Sequence, residues 1–171
     1  MRVLVTGGVR SGKSTHAESL LAARDDVRYV AAGPRRDDAD WAARVAAHRA
    51  RRPPEWETVE SHDLAAALDT ERAVLVDCLG TWLTAVIDDA DGWEWEMGAL
   101  EGLVERHLAA ALPRLTARDD VVLVTNEVGW GVVAEHRSGR VFADLLGRVN
   151  RRVAEVCDEV HLVVAGRTLM L

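Results

Sequence analysis

Basic side chains are outnumbered in this sequence, and that shortage limits the partners it can have. Lysine and arginine together number 21 against 28 aspartates and glutamates, which gives a formal net charge of −7 over 171 residues. A protein that neutralises a nucleic-acid backbone needs an excess of lysine and arginine on one face. We therefore expect no nucleic-acid partner.

Cysteines and long apolar runs are also few. The two cysteines, Cys78 and Cys157, lie in apolar segments, and no set of histidines, cysteines and acids has the spacing of zinc ligands. No apolar stretch approaches the ~20 residues needed to span a bilayer. The sequence opens with a strand-like segment rather than a signal peptide. These absences predict a cytoplasmic protein with reduced thiols and no transmembrane segment.

Lysine itself is almost missing, because Lys13 is the single lysine beside 20 arginines. A switch GTPase needs a second lysine, in an N-K-x-D motif that recognises guanine, so the D-x-x-G pattern of Asp77 to Gly80 does not indicate such a protein. The isolated Lys13 is either a matter of chance or a position that arginine cannot fill. A compact ammonium group and a planar guanidinium group are not interchangeable between phosphates.

Short valine- and leucine-rich runs alternate with segments of helical periodicity. This order predicts one α/β domain over residues 1–171, with a mostly parallel sheet and helices on both of its faces. The predicted strands are Arg2–Thr6, Val27–Ala31, Ala73–Asp77, Val121–Thr125, Val160–Val164 and an edge strand at Arg167–Leu171, and the predicted helices are Ser14–Ala23, Asp38–Arg51, Leu79–Asp88, Trp95–Leu112 and Gly139–Cys157.

A phosphate-binding loop follows the first predicted strand. The segment fits the pattern G-x-x-x-x-G-K-[ST], with a strand before it and a helix after it. Backbone N–H groups and the helix N-terminus would surround the phosphates, Lys13 would reach the outer ones, and the Ser14 hydroxyl would bind Mg²⁺. The residues are Gly7, Gly8, Val9, Arg10, Ser11, Gly12, Lys13 and Ser14.

A second Mg²⁺ contact is expected from an acid at the end of a buried strand. Asp77 is the candidate, and Glu127, just past the strand at Val121–Thr125, is its rival. Alternatively, Asp77 caps the helix that begins at Leu79, since aspartate is a favoured N-cap residue.

One histidine lies among arginines in this acidic protein. His48 is surrounded by Arg44, Arg49, Arg51 and Arg52. A neutral imidazole can attack phosphorus while guanidinium groups hold the negative oxygens, although a solvated basic helix face would show the same pattern. Among the other histidines, His16 is interpreted as a packing or supporting residue, and His161 has no neighbouring constellation in the sequence.

Several motifs together resemble a known family, the bifunctional adenosylcobinamide kinase and adenosylcobinamide-phosphate guanylyltransferase of cobalamin biosynthesis. The likeness covers nearly the whole chain. It rests on Leu4 to Ser14, Tyr29 to Ala31, the Arg44-Val45-x-x-His48-Arg49-x-x-Arg52-Pro53 segment, Asp77-Cys78, Val124 to Val133 with its Asn-Glu-Val-Gly core, and Leu146 to Asn150.

The resemblance implies two reactions in a RecA-like P-loop fold. ATP or GTP would phosphorylate adenosylcobinamide, and GMP would then pass from GTP through a covalent GMP-histidine at His48 to the adenosylcobinamide phosphate, releasing pyrophosphate. Mg²⁺ and a homo-oligomer, a trimer, are implied too. Beyond the loop, the nucleotide contacts carried over are Ala32, Gly33, Pro34, Arg49, Ala50, Arg51, Arg52, Glu60 and Asp77.

Two other functions and one segment stay open at this point. The chain could be a small-metabolite kinase without a covalent intermediate, or a nucleotide-binding regulatory subunit without chemistry. The segment Gly92–Met97, with Trp93 and Trp95, is interpreted as a packing or interface patch, with a corrin-stacking surface as the alternative.

Overall fold

The structure is a computed structural model that describes residues 1–34, 46 and 52–171. These residues form seven strands and five helices. The strands are β1 Arg2–Gly7, β2 Val27–Ala31, β3 Glu57–Glu60, β4 Ala73–Asp77, β5 Val121–Val124, β6 Glu159–Val164 and β7 Arg167–Met170; the helices are α1 Lys13–Leu20, α2 Leu64–Ala67, α3 Leu79–Asp89, α4 Met97–Thr116 and α5 Arg137–Ala154.

The strands form one sheet in the order β3-β2-β4-β5-β1-β6-β7. Across the sheet, every neighbouring pair from the β3 edge as far as β6 is parallel, and only the pairing of β6 with β7 is antiparallel. The mostly parallel sheet predicted from the sequence is therefore confirmed.

Apolar residues are buried on both faces of the sheet, which explains why the central strands are continuous apolar runs. On one face, Leu4 and Val76 pack with the helices α3, α4 and α5. On the other face, Val5 and Leu75 pack with Ala17 and Leu21. The prediction of helices on both faces is thus confirmed.

Two elements were absent from the sequence prediction. The strand β3 has the sequence Glu-Thr-Val-Glu and lies at the edge of the sheet, half-buried or exposed, so it lacks the apolar run that marks the central strands. The helix α2 is a single turn, in which the Asp63 carboxylate accepts a hydrogen bond from the Ala66 N–H at 3.0 Å. Both elements are too short and too polar for periodicity to detect.

The helix α4 continues past its predicted end at Leu112. Proline inside a helix removes one hydrogen bond, and this favours an earlier end. The helix nevertheless runs through Pro113 to Thr116, because Leu115 is 2% exposed and packs into the core on the last turn. The helix predicted at Asp38–Arg51 lies outside the described residues, apart from the helical Ala46.

None of the helices in the described ranges is long and apolar enough to cross a bilayer.

An ion pair connects the first residue of β1 to the residue that precedes β6. The Arg2 guanidinium donates to Asp158 Oδ1 at 2.6 Å, and the Arg2 backbone N–H donates to Asp158 Oδ2 at 2.7 Å. These two contacts hold the pKa of the Asp158 carboxyl well below its usual range, at about 2. The pair therefore stabilises the start of β1 where β6 approaches it.

We expect Asp158→Asn to lower the free energy of unfolding near neutral pH, because the amide removes an ionised acceptor. The folded pKa is depressed, so the stabilisation is complete above the unfolded value of 3.8 and disappears as the pH falls through about 2. Urea unfolding at several pH values measures the effect, and the two proteins should converge in acid. The matched control is Asp69→Asn at an exposed site, and a constant difference between parent and Asp158→Asn at every pH would contradict the assignment.

Candidate active site

The carboxyl ends of the parallel strands carry most of the predicted site residues that the structure describes. Strand register aligns Glu60 with Ala31 and Ala31 with Asp77, and then Asp77 with Val124 and Val124 with Val5. Beyond these aligned residues, each strand leads into a loop at the same edge of the sheet. Open α/β sheets bind their ligands at this edge, so the register itself brings the candidate groups together.

The phosphate loop leaves β1 at Gly7 and enters α1 at Lys13. Gly12, the residue before the helix, has a φ of 97°, a left-handed conformation that favours glycine. A Cβ on Gly7 would lie 2.4 Å from the Val163 carbonyl oxygen. Both positions therefore require glycine: Gly12 because of its left-handed backbone, and Gly7 because β6 packs directly against it.

Lys13 occupies the first position of α1 and is 8% exposed. Its Nζ donates to the Gly8 carbonyl oxygen at 3.1 Å, across the mouth of the loop. An ammonium group in this position can exchange a loop carbonyl for the outer phosphates of a nucleotide. Ser11, in the same loop, has a buried hydroxyl without a hydrogen-bond partner among the described residues.

The turn between β6 and β7 supports the loop from behind. The Gly166 N–H donates to the Ser11 carbonyl oxygen at 2.8 Å. A Cβ on Gly12 would lie 3.5 Å from the Gly166 Cα. The turn that leads into the predicted edge strand β7 therefore packs against the phosphate loop and supports it.

Glu127 joins three elements beside the loop. Its Oε1 accepts a hydrogen bond from the Thr6 hydroxyl at 2.9 Å and another from Asn150 Nδ2 at 3.4 Å, and its backbone N–H donates to the Gly7 carbonyl at 3.2 Å. Asn150 also accepts from the Thr125 hydroxyl at 2.6 Å and donates to the Asn126 carbonyl at 3.0 Å. One carboxylate oxygen of Glu127 is thus already held by two donors.

Asp77 ends β4 and lies one strand further from the loop than Glu127. The Tyr29 hydroxyl donates to Asp77 Oδ2 at 3.1 Å. Burial, together with the neighbouring Asp77 carboxylate, raises the pKa of the Tyr29 phenol, which keeps it protonated as a donor. The N-cap of α3 is Cys78, so the interpretation of Asp77 as the cap of this helix is wrong.

Arg52 brings a cation to the same side of the sheet. Its guanidinium carbon lies 3.5 Å from the centre of the Tyr29 ring, and its NH1 donates to the Thr58 hydroxyl at 3.4 Å. Tyr29 therefore lies between the Arg52 guanidinium and the Asp77 carboxylate. The other predicted arginine-segment residues, His48, Arg49, Ala50 and Arg51, lie outside the described residues.

The remaining predicted contacts also lie at this edge. Ala32, Gly33 and Pro34 follow β2 directly, and a Cβ on Gly33 would lie 2.9 Å from the Thr81 Cβ in the first turn of α3. Glu60 is the last residue of β3 and is exposed. The structure thus groups the described members of the predicted set on one edge, and their contact with a nucleotide stays a prediction.

His161 does have a neighbouring constellation, contrary to the sequence-based expectation. Its Nδ1 lies 2.9 Å from His16 Nε2, and its Nε2 lies 2.7 Å from Glu159 Oε2. Burial, followed by the charge of His161, lowers the pKa of His16. These hydrogen bonds connect α1 to β6, and the interpretation of His16 as a packing or supporting residue stays a prediction. No local pattern could predict this contact, since the two histidines are 145 residues apart.

Asn150 ends one of the motifs that carry the family resemblance, but it was not among the predicted site residues. It is 9% exposed on the apolar side of α5, next to Val149. A polar residue at an apolar position of an amphipathic helix is a usable signal, because a buried amide requires partners. Here the partners are the three residues that follow β5.

The oxygen groups at this edge suit a magnesium ion. Within the part of the chain that the structure describes, no group of three or more histidines, cysteines or acids could hold a metal alone. Mg²⁺ prefers hard oxygen ligands and typically takes one or two from protein, the rest coming from phosphates and water. Ser14, Asp77 and the rival Glu127 offer a hydroxyl and carboxylates of this kind.

Comparison with known proteins gives matches over nearly the whole chain. A family model described as cobinamide kinase / cobinamide phosphate guanyltransferase matches residues 3–171. The chain is 42% identical over 178 residues to the bifunctional adenosylcobalamin biosynthesis protein CobU of Escherichia coli K12, with 97% of each chain covered. It is 40% identical over 179 residues to the bifunctional protein CobP of Pseudomonas aeruginosa PAO1, with 100% of this chain and 97% of that protein covered.

A solved structure gives the fold. An ATPase from the type III secretion system of pathogenic bacteria matches with a TM-score of 0.55 at 15% identity, over 94% of this chain and 50% of that one. This chain therefore spans half the length of that ATPase. The likeness confirms the predicted P-loop fold of the RecA-like kind.

Replacement of Lys13 by arginine tests the loop geometry. Because the Lys13 ammonium is buried between the helix start and Gly8, a larger planar guanidinium should not fit, and we expect Lys13→Arg to reduce nucleotide turnover by about a hundredfold or more. Steady-state rates with ATP and GTP measure this. Arg140→Lys, at an exposed position of α5, is the converse control. Equal rates for Lys13→Arg and the parent would show that Lys13 does not bind the phosphates.

Proposed function

This chain belongs to the cobinamide kinase / cobinamide phosphate guanyltransferase family, and on that premise we propose that its residues 1–171 form one domain that catalyses two successive reactions. The first phosphorylates the aminopropanol hydroxyl of adenosylcobinamide with ATP or GTP. The second transfers GMP from GTP to that phosphate, giving adenosylcobinamide-GDP and pyrophosphate. Both reactions belong to the assembly of the cobalamin nucleotide loop.

The phosphate loop is the observation that carries the proposal. Gly12 adopts the required left-handed conformation, Lys13 is held across the loop by Gly8, and α1 directs its N-terminus to the same place. Backbone N–H groups and a helix N-terminus favour a polyphosphate anion. The family name and the full-length likeness to bifunctional relatives then support the two activities.

In the kinase step, the residues of this chain position the two substrates and neutralise phosphate charge, and none of them forms a covalent bond to phosphorus. The acceptor oxygen forms a bond to the γ-phosphorus while the bond from that phosphorus to the β-phosphate oxygen breaks. Negative charge builds up on the departing nucleoside diphosphate, where Lys13 and the loop N–H groups lie. The hydroxyl proton leaves to a carboxylate at the strand edge or to water.

Mg²⁺ fits the oxygen donors described above, with Ser14 and Asp77 as its proposed protein contacts. When bound, it neutralises phosphate charge that the single lysine leaves uncompensated. We assign Glu127 to the support of the phosphate loop instead, because its Oε1 accepts from Thr6 and Asn150 and its backbone N–H donates to Gly7.

In the transferase step, we assign the nucleophile to His48. A neutral imidazole nitrogen would form a bond to the α-phosphorus of GTP as the bond to pyrophosphate breaks, and a phosphate oxygen of the second substrate would then displace the histidine. The support lies in the Arg-x-x-x-His-Arg-x-x-Arg-Pro pattern and in Arg52, whose guanidinium lies on Tyr29 beside Asp77. Arg49, Ala50 and Arg51 would line the same nucleotide, as would Ala32, Gly33, Pro34 and Glu60.

The proposal also includes the surroundings of the enzyme. We assign it to the cytoplasm and expect a homo-oligomer, a trimer, with no nucleic-acid partner. Net charge supports the last point, since an acidic protein is not suited to bind a phosphate backbone.

Labelling with GTP carrying a radioactive α-phosphate tests the histidine. We expect the purified protein to acquire acid-labile, base-stable label in the presence of Mg²⁺, and His48→Ala to acquire none, because a phosphorus–nitrogen bond to histidine has this stability profile. The matched control is His136→Ala, an exposed histidine next to α5, which should label as the parent does.

Absence of label on a parent protein that binds GTP and phosphorylates cobinamide would reject the covalent intermediate. The chain would then be a kinase without the guanylyl step. Label that persists in His48→Ala would move the nucleophile to another residue.

A magnesium titration separates the two acids. We expect Asp77→Asn to raise the Mg²⁺ concentration for half-maximal kinase rate by about tenfold or more, because an amide oxygen replaces a charged ligand. Glu127→Gln keeps an acceptor for Thr6 and should change the Mg²⁺ requirement much less. The reverse order of the two variants would assign the metal contact to Glu127.

A further inference from the structure

A cleft at the start of α5 has no role in the reactions derived so far. It has a volume of about 580 Å³ and lies between α3, α5 and the segment after α3. Volumes of this size are typical of sites for small molecules. Its lining residues are Thr84, Asp88, Trp93, Ser138, Gly139 and Phe142.

Buried Gly80 lies between the cleft and the active-site edge and packs against residues of both. The position that a Cβ on Gly80 would take lies 2.8 Å from Asn126 Nδ2 and 3.6 Å from Phe142 Cζ. Asn126 precedes Glu127, and the Thr84 hydroxyl donates to the Gly80 carbonyl at 3.2 Å. The first turn of α3 therefore separates the cleft from the end of β5 by a single packed layer.

The distance between the cleft and the phosphate loop follows from the helix α5. Asn150 contacts the residues after β5, and Phe142 lies eight residues earlier on the same helix. At 1.5 Å per residue this separation is about 12 Å along the helix axis. The nucleotide phosphates and a molecule in the cleft would thus be neighbours without overlap.

The chemistry of the lining is unsuited to phosphates. None of the six lining residues is basic, and Asp88 is an exposed acid. The nearby Arg137 guanidinium donates to the carbonyl oxygens of Trp93 and Trp95. Two aromatic side chains, two hydroxyls and one carboxylate suit an uncharged, partly apolar ligand that carries amide N–H groups.

We propose that this cleft binds one edge of the corrin macrocycle of the acceptor substrate, with Trp93 and Phe142 against its apolar surface and Asp88 facing its amide groups. This inference rests on the proposed function. A cobinamide carries its hydroxyl at the end of an amide-linked arm whose extended length is on the order of 10 Å. A macrocycle in the cleft can therefore deliver that hydroxyl to the phosphate loop.

The half-buried Trp93 is held in a position suited to this role. Its indole N–H donates to Asp88 Oδ1 at 2.6 Å, and the residue packs against the core under α3. The packing expected for the Gly92–Met97 segment is thus present, and the corrin-contact alternative is assigned to the same residue. One aromatic side chain can serve both purposes, because Trp93 packs against the core and also lines the cleft.

A variant that fills the cleft tests the proposal. Ser138 is exposed at the cleft, so Ser138→Trp should fold and obstruct the macrocycle. We expect it to weaken cobinamide binding and raise the KM for cobinamide by about tenfold or more, with GTP affinity and GTP-dependent labelling unchanged. Equilibrium dialysis, read from the visible absorbance of cobinamide, measures the binding. The matched control is Asp144→Trp, exposed on α5 away from the cleft, which should behave as the parent.

The outcomes separate the cleft from the proposed function. If the parent binds and phosphorylates cobinamide while Ser138→Trp does so equally well, the cleft assignment is wrong and the function stands. Loss of GTP binding in Ser138→Trp, with cobinamide binding kept, would assign the cleft to the nucleotide and overturn the proposal. A parent that binds GTP but neither binds nor phosphorylates cobinamide would overturn the cleft and the proposed function together.

Discussion

The parallel alignment of β1 with β5 and β6 is the constraint on which the rest of the site depends. Parallel strands have their carboxyl ends at the same edge of the sheet, so residues from β5 and from β6 contact the loop after β1 on its two sides. From β5 comes Glu127, which accepts from Thr6 and donates through its backbone to Gly7. From β6 comes Val163, whose carbonyl oxygen leaves room only for a glycine at position 7. The conformation of the phosphate loop is therefore maintained by tertiary contacts as well as by its own glycines.

The sequence predicted those parts of the fold in which burial determines the residue type. Strands β2 and β4 agree to the residue, and the other central strands differ by one, because a strand covered on both faces must be apolar throughout. The edge strand β3 could not be predicted in this way, since Glu57 and Glu60 need no apolar surroundings. The end of α4 differs for another reason: Pro113 locally favours a helix end, but burial of Leu115 maintains the helix to Thr116.

Pairs of distant residues were beyond the reach of periodicity. The loop motif identified Lys13 and Ser14 because its spacing is local, whereas the contact between His16 and His161 exists only once α1 lies on β6. Similarly, the strand pattern proposed Asp77 as the metal contact with Glu127 as its rival, and it could not show which hydrogen bonds each carboxylate makes. Glu127 has an oxygen engaged by Thr6 and Asn150, while Asp77 accepts from Tyr29, whose ring also supports Arg52.

In the proposed chemistry, one phosphate loop can serve both reactions because the two transition states place charge on the same group. Phosphoryl transfer breaks the bond between the β-phosphate oxygen and the γ-phosphorus, and guanylyl transfer breaks the bond between the α-phosphorus and pyrophosphate. In each case the departing oxygen belongs to the β-phosphate, which the loop N–H groups and Lys13 are arranged to surround. Only the nucleophile has to differ, a substrate hydroxyl in one reaction and His48 in the other. One lysine at a fixed place can then act in both reactions, and in this arginine-rich chain the single lysine lies at that place.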